Sequence, residues 1–434
     1  MIFVHAMNKY RTITSKVESA LDTFRVVSVT GARQVGKSTL ARRLCVQRNM
    51  VYVSLENAVA RAAAIADADA WLDGFSGPVA IDEIQHAPDL FRAIKRRVDA
   101  SNKPGQYLIT GSALWLAMRA IGETLAGRVA LLELWPFSLA EKSGLKPFDF
   151  GFLLADDWNP KGIQEAMKPA QSSPRQWWRK AIMYGGFPEP AKMADTSMRD
   201  LWFESYLDTY LKRDVLDLVR IEHADLFVRL IRLLAVRSGQ LLNISTLARD
   251  AGLPIPTARR YAEWLVTTYQ RFDILPYSTN TAKRLVRTPK SYWSDTGMLT
   301  AITGWRDWRA VESAGADGAM LETWVAGELR KWSAYGDRQP IHFWRSHGGA
   351  EADFVLERQG RVTAIEVKTG HRIDARDMKG LAECREVLGG RFHRGIILYG
   401  GTEIQPIGDR LYAVPLDILR GNASGVDSSR AIQL

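Results

Sequence analysis

The sequence predicts an α/β protein of several domains, and three patterns predict it. An apolar strand, a glycine-bearing loop and a helix follow one another from Val26 to Leu44. Further apolar strands end in polar residues at Asp82-Glu83 and at Thr110-Gly111-Ser112, and a strand, a turn and a second strand run from Glu351 to Thr369. Strands alternating with helical spacing are the mark of parallel sheets covered by helices. A length of 434 residues gives two to four domains at roughly 100–200 residues each. With 46% hydrophobic and 24% charged residues, the chain can bury a sizeable core, which excludes wholesale disorder. No stretch approaches the ~18 apolar residues of a membrane span, and the start MIFVHAMNKY lacks a secretory signal, so a cytoplasmic location and no membrane partner are expected. Cys45 and Cys384 stand far apart with no partner at metal-ligand spacing, which excludes a disulfide scaffold and a zinc finger.

The loop Gly31-Ala32-Arg33-Gln34-Val35-Gly36-Lys37-Ser38 fits G-x-x-x-x-G-K-[ST]. Its glycines let backbone N–H groups converge on phosphates at a helix N-terminus, Lys37 reaches the β and γ phosphates of ATP, and the Ser38 hydroxyl completes a Mg²⁺ shell. Gly31, Gln34, Val35, Gly36, Lys37, Ser38 and Thr39 are therefore the expected nucleotide contacts. The strand Val79-Ala80-Ile81 ends in Asp82, placed to bind Mg²⁺ through water, and in Glu83, placed to polarise the attacking water. After these motifs an amphipathic helix is expected from Asp89 to Ala100, followed by the strand Gln106–Ser112. If that strand inserts between the two motif strands, Thr110 or Ser112 meets the γ phosphate as a sensor.

Gly31–Ser38, Val79–Glu83 and Leu108–Ser112 together resemble an AAA-plus ATPase of the additional-strand P-loop class. The segments Leu125–Arg128, Tyr184–Glu189 and Tyr210–Asp214 narrow the resemblance to a bacterial and archaeal family that joins this ATPase to a C-terminal domain of unknown function with a restriction-endonuclease-like core. The resemblance covers nearly the whole chain. It implies a homo-oligomer, a hexameric ring among the options, in which an arginine of one subunit reaches the neighbour's nucleotide. Arg128 is the first candidate for that finger, and Arg213 is the second, as finger or as a lid sensor.

From Ala155 to Gln176 the chain turns polar and proline-bearing, which reads as a linker or mobile loop. Helical spacing resumes from Trp177 to Val219, with Trp202, Tyr206 and Leu207 read as core, and continues through Leu226, Leu230 and Leu234. Two shorter helices, Ser245–Ala251 and Pro256–Thr267, are joined by Gly252-Leu253-Pro254, the spacing of a helix-turn-helix whose second helix lies in the DNA major groove. Thr257, Arg259 and Arg260 then face DNA. The segments Phe272–Tyr277 and Leu285–Trp293 pair as a wing, and Lys283, Arg284, Arg287 and Lys290 touch phosphates. Charge supports an anionic partner: of a net +10, the stretch from 224 to 292 holds eleven Lys and Arg against four acids.

In the last third the helix Leu321–Trp332 carries Glu322 and Glu328, and the hairpin carries Asp353, Glu366 and Lys368. Glu366 and Lys368 are two apart and share a strand face, so pairing the strands places Asp353, Glu366 and Lys368 at one edge. Two carboxylates can hold Mg²⁺ while a lysine activates a water against a phosphodiester. The arrangement resembles the PD-(D/E)XK nuclease fold, with Ala352 in place of the proline, Lys379 downstream, Glu322 the first match to the helix carboxylate and Glu328 the second.

The expected organisation is a P-loop AAA-plus ATPase domain over 1–154, a linker and helical lid over 155–222, a winged helix-turn-helix over 223–300 and a nuclease-like α/β domain over 301–434. The leading expectation is an ATP-hydrolysing multimer that remodels or translocates on duplex or branched DNA, as in repair. Two alternatives stand beside it: a nucleotide-gated, metal-dependent nuclease, and an ATP-binding regulator or antitoxin acting through a protein partner.

Overall fold

The computed structural model describes residues 10–112, 125–166, 177–209, 224–279 and 288–421. The chain forms two compact units, Met1–Pro136 with Trp264–Gln270, and Phe137–Glu263 with Arg271–Leu434.

The first unit is built on five parallel strands: β1 (Val26–Gly31), β2 (Val51–Ser54), β3 (Val79–Asp82), β4 (Tyr107–Ser112) and β5 (Val129–Leu134), in the order β2-β3-β4-β1-β5. Every residue of β1 and of β3 is buried, as expected of central parallel strands covered on both faces. β4 lies between β3 and β1, with Tyr107 in register with both Val79 and Val26, so the third strand does insert between the two motif strands. The helix Leu90–Ala100 buries Leu90, Phe91, Ile94 and Val98, while Arg96 and Arg97 on its other side pair with Asp69 and Asp73.

The second unit is organised around a nine-stranded mixed sheet. Its strands are β6 (Gln240–Leu241), β7 (Arg271–Pro276), β8 (Lys290–Trp293), β9 (Ile341–Arg345), β10 (Glu351–Arg358), β11 (Arg361–Lys368), β12 (Phe392–Tyr399), β13 (Gln405–Gly408) and β14 (Leu411–Pro415). Their order is β13-β14-β12-β11-β10-β9-β7-β8-β6. β7 and β8 pair antiparallel, Arg271 opposite Trp293, and β10 and β11 form the hairpin with Phe354 opposite Ile365. β7 also pairs in parallel with β9, Leu275 opposite His342. The strands expected to form a separate wing therefore continue into the C-terminal sheet, and the boundary expected at 300/301 falls inside it. The helix Lys379–Leu388 seals one apolar cluster, Leu381 and Cys384 packing with Val355, Val362, Ala364 and Ile397.

The helix-turn-helix spacing is realised as Ile244–Ala251 and Ile255–Thr267. The first helix is capped by Asn243, whose side chain accepts from the Thr246 N–H. The Tyr184–Glu189 motif is a pinned loop: the buried Asp295 accepts from Gly186 N–H at 2.5 Å, Lys142 Nζ donates to the Gly185 carbonyl at 2.6 Å, and Phe187 is buried below.

Residues 155–166 are not a free linker: Pro160–Ala166 is a helix, Gln164 holds Ile404 N–H and the Thr402 carbonyl at 2.6 and 3.1 Å, and Trp158 packs on Tyr412 under the Arg394 guanidinium. The polar composition concealed one anchoring tryptophan and one bidentate amide. Residues 167–176, and with them the rest of the expected linker, lie outside the described residues. So do Arg213, Lys283, Arg284 and Arg287. Among the described residues no helix is long and apolar enough to cross a membrane.

Candidate functional site

The loop after β1 meets the requirements of a phosphate cradle. Gly31 has φ +155°, and a Cβ there would collide with the Leu134 carbonyl and lie 3.3 Å from Val35 Cγ1, so the chain can turn only because no side chain is present. Gly36, at φ 102°, is the N-cap of the helix Lys37–Arg48, which leaves the first N–H groups of that helix facing the loop. Val35 is fully buried, and Arg11 clamps the loop by donating to the Val35 carbonyl at 2.9 Å and the Trp135 carbonyl at 2.5 Å. Gln34 adopts a left-handed φ of 60° and is exposed, as is Thr39.

Lys37 is buried inside this loop and donates to the carbonyls of Gly31 and Ala32 at 3.2 and 2.9 Å. Burial pulls its ammonium down to about 8 against the opposing pull of Glu83 and Asp82. Asp82, also buried, accepts from Ser38 Oγ at 3.1 Å, from Tyr52 OH at 2.7 Å and from Thr110 Oγ1. Glu83 follows it in the left-handed region at φ 55°, where its carboxylate accepts from Gln85 Nε2. A buried cation against loop carbonyls, a hydroxyl tied to a strand-end carboxylate and a second carboxylate one residue on form a donor set that fits a Mg²⁺-bound nucleoside triphosphate. Thr110 is engaged with Asp82, and Ser112 is the last residue of β4 with its side chain outside the described set. Arg128 is tied within its own chain, to Asp99 and to the Ala126 carbonyl.

The second unit gathers a carboxylate cluster. Asp353 Oδ2 accepts the Val367 N–H at 2.9 Å, which draws the Asp353 side chain to the strand of Glu366 and Lys368. Lys368 Nζ holds Glu366 Oε1 at 2.9 Å, while Glu366 Oε2 is buried without a hydrogen-bond partner. From the helix Asp317–Tyr335, Glu322 accepts from Tyr292 OH at 2.6 Å and from Lys290 Nζ at 2.9 Å. Burial, with Asp353 alongside in both cases, pushes Glu322 up to about 7 and Glu366 up to about 8; burial also raises Asp353. Glu322 thus joins the cluster of Asp353 and Glu366. Glu328 does not: it is buried, paired to Lys331 at 2.8 Å and bonded to the Leu139 N–H. Lys379 is exposed at the start of its helix.

Lys290 is the clear misassignment. It was expected to touch DNA phosphates from a wing, yet it is only 5% exposed, and its ammonium meets Glu322, Glu351 and Asp353. These carboxylates hold it protonated although burial works against them. The expected metal set is altered for the same reason: among the described residues no group of three or more His, Cys, Asp or Glu is arranged to hold a metal. Asp353 and Glu366 face lysines instead. The present arrangement does not fit a divalent ion. Of the other expected DNA contacts, Arg259 and Arg260 are exposed on the helix Ile255–Thr267, and Tyr261 and Leu265 are buried behind them.

A family model described as an AAA domain matches 23–142, and models of two domains of unknown function, DUF8612 and DUF4143, match 175–309 and 317–419. The uncharacterized protein Rv2008c of Mycobacterium tuberculosis is 33% identical over 409 residues, which cover 94% of this chain and 83% of that protein. The chain belongs to that family. The Mycobacterium bovis protein Mb2031c matches to the same extent. Among solved structures, the Walker-type ATPase of Pyrococcus abyssi aligns at 15% identity and a TM-score of 0.40, over 67% of this chain and 94% of its own. The RuvB Holliday junction branch migration motor of Thermotoga maritima aligns at 16% and 0.29, over 60% and 88%.

Within this AAA domain, sequence reasoning missed Tyr52, the donor to Asp82, because a tyrosine on an edge strand carries no motif. In the C-terminal cluster it missed Tyr292 and Glu351 and misread Lys290. A signal was present: Lys290 and Tyr292 are two apart on a strand and so share a face.

Proposed function

We propose that the chain is an ATP-hydrolysing AAA protein that acts on DNA, using nucleotide turnover to remodel or translocate on duplex or branched DNA. The observation that carries the ATPase reading is the union of buried Lys37, Ser38 tied to Asp82, and Glu83 at the end of β3. ATP with Mg²⁺, when bound, would supply the phosphoanhydride and the anionic charge that Lys37 is placed to meet. Lys37 would leave the Gly31 and Ala32 carbonyls for the phosphates, Gly31 to Thr39 would offer their backbone N–H groups, and Ser38 and Asp82 would orient the ion's shell. Glu83 would orient a water and accept its proton, and Ser112 or Thr110 would read the terminal phosphate. An arginine from a second copy, Arg128 after release of Asp99 or else Arg213, would complete the site in a homo-oligomer, a hexameric ring being one form.

The DNA reading is supported by exposed Arg259 and Arg260 on the second helix of the helix-turn-helix pair and by the basic stretch Lys283, Arg284 and Arg287. A second reading, a nucleotide-gated nuclease, is favoured by the convergence of Glu322, Asp353, Glu366 and Lys368 on one edge. ATP hydrolysis measured with and without duplex and branched DNA, alongside nicking of supercoiled DNA, separates the two. Hydrolysis stimulated by DNA without nicking supports the first reading, nicking supports the second, and no DNA binding at all would leave the ATP-binding regulator.

A further inference from the structure

The second unit buries one lysine in a position that the chemistry of its surroundings would otherwise assign to a metal. Lys290 Nζ stands 2.9 Å from Glu322 Oε1 and 3.7 Å from Asp353 Oδ1, touches Glu351 Oε1, and has the ring of Phe343 5.6 Å away. Tyr292, on the same strand face, donates to the same Glu322 oxygen. Beyond Asp353, Glu366 keeps one buried oxygen with no hydrogen-bond partner. We propose that Lys290 is a built-in counter-ion that fills the cation position of this cluster, so that the cluster excludes a divalent ion for as long as the Lys290 side chain stays seated.

Charge and space both favour an ammonium at this point. Four carboxylates, Glu322, Glu351, Asp353 and Glu366, face two ammonium groups, Lys290 and Lys368. An ammonium presents three donors from one point, which suits three carboxylates converging from a helix and a strand. A divalent ion the size of Mg²⁺ needs oxygens at about 2.0–2.1 Å in near-octahedral array, and Lys290 Nζ occupies the point they would surround. Burying a lysine is unfavourable unless its partners are excellent, and replacing the whole ion cluster by apolar residues of the same volume would often serve stability as well or better, whereas removing the lysine alone leaves its carboxylates uncompensated. A lysine kept here beside four carboxylates, with Lys368 on Glu366 and Arg345 3.9 Å from Glu351, is understandable if the carboxylates are needed and must be held in check.

The test is Mn²⁺ binding to the full chain without nucleotide, so its result is independent of ATP hydrolysis. Only the ion whose binding disappears on adding Asp353→Asn is counted. Wild type is expected to bind no such ion into the millimolar range, and Lys290→Met to bind one at least tenfold more tightly. Lys290→Met should also melt at a lower temperature than wild type and regain part of the loss when Mn²⁺ is added, a response that a purely structural lysine would not produce. Should Lys290→Met fail to fold, the charge-balanced Lys290→Met/Glu322→Gln gives the same reading. An Asp353-dependent ion bound by wild type within twofold of the variant's affinity overturns the proposal, and so does a folded variant that binds none.

Discussion

Replacing Glu83 by glutamine isolates the chemical step from nucleotide binding. Glutamine keeps the volume and an acceptor for Gln85 Nε2, so the perturbation is the loss of charge and basicity at the end of β3. A positioned general base contributes about 10²–10⁴-fold, which corresponds to about 2.7–5.4 kcal/mol at 1.36 kcal/mol per decade, and hydrolysis should fall by that factor. Binding should not follow. Glu83 and Asp82 are the two carboxylates that support the charge of buried Lys37; with Glu83 neutral, Lys37 keeps Asp82, and incoming phosphates meet one negative charge fewer. ATP affinity should therefore stay within roughly threefold of wild type, as the support lost and the repulsion relieved offset each other. Lys37→Ala removes the ammonium itself, and since hydrogen bonds to charged groups are worth about 1.5–3 kcal/mol each, affinity should drop about ten- to a hundredfold. Fluorescent-nucleotide titration and single-turnover phosphate release on the same preparations report the two quantities. Wild-type hydrolysis by Glu83→Gln would refute the role given to Glu83, and equal binding defects in both variants would refute the division of labour.

Tyr52→Phe deletes the 2.7 Å hydrogen bond to Asp82 and should raise the Mg²⁺ concentration needed for half-maximal hydrolysis by about tenfold, following the loss of one charge-assisted bond; unchanged Mg²⁺ dependence would remove Tyr52 from the site. Gly185→Ala places a Cβ against the Asp295 carboxylate and 2.7 Å from Gly297 N at φ +62°. Left-handed strain of about 1–2 kcal/mol and overpacking of about 1–3 kcal/mol should lower the urea midpoint of the second unit, and an unshifted midpoint would show that the loop is not pinned as described. Arg284→Ala/Arg287→Ala should reduce the dependence of DNA affinity on log salt by about two, with little change in base preference. An unchanged slope would move the DNA surface elsewhere.

The nucleotide site was legible because its chemistry is local. A glycine loop between strand and helix, and a strand ending in two acids, specify backbone geometry within a few residues, whereas the insertion of β4 between β3 and β1 was only a condition at the level of sequence and is seen in the strand pairing. The hairpin of Asp353, Glu366 and Lys368 was legible through period-two alternation. Lys290 was not, because a basic residue in a basic stretch looks solvated unless the strand it starts is known to run beside Glu322 and Asp353, contacts 32 and 63 residues away in sequence. Arg271 shows the same failure: counted in the basic excess, it is buried, paired with Asp273, and bonded to Ser291 Oγ at 2.7 Å and to the Ala262 carbonyl at 3.0 Å. Net charge along a segment measures composition, while burial is decided by partners that the segment does not contain.

The pairing of β7 with β9 has a consequence for anyone who wishes to divide this protein. The two domain-of-unknown-function models part between 309 and 317, and a cut there would look natural. It would separate Leu275 and Pro276 from His342 and Phe343, baring a strand edge on each fragment. It would also strand the Lys290 ammonium in one piece and Glu322, Glu351 and Asp353 in the other, an uncompensated charge on both sides of the break. Halves made this way should be insoluble when produced singly and recover only when produced together, as two pieces of one folding unit that the family boundaries have labelled as two.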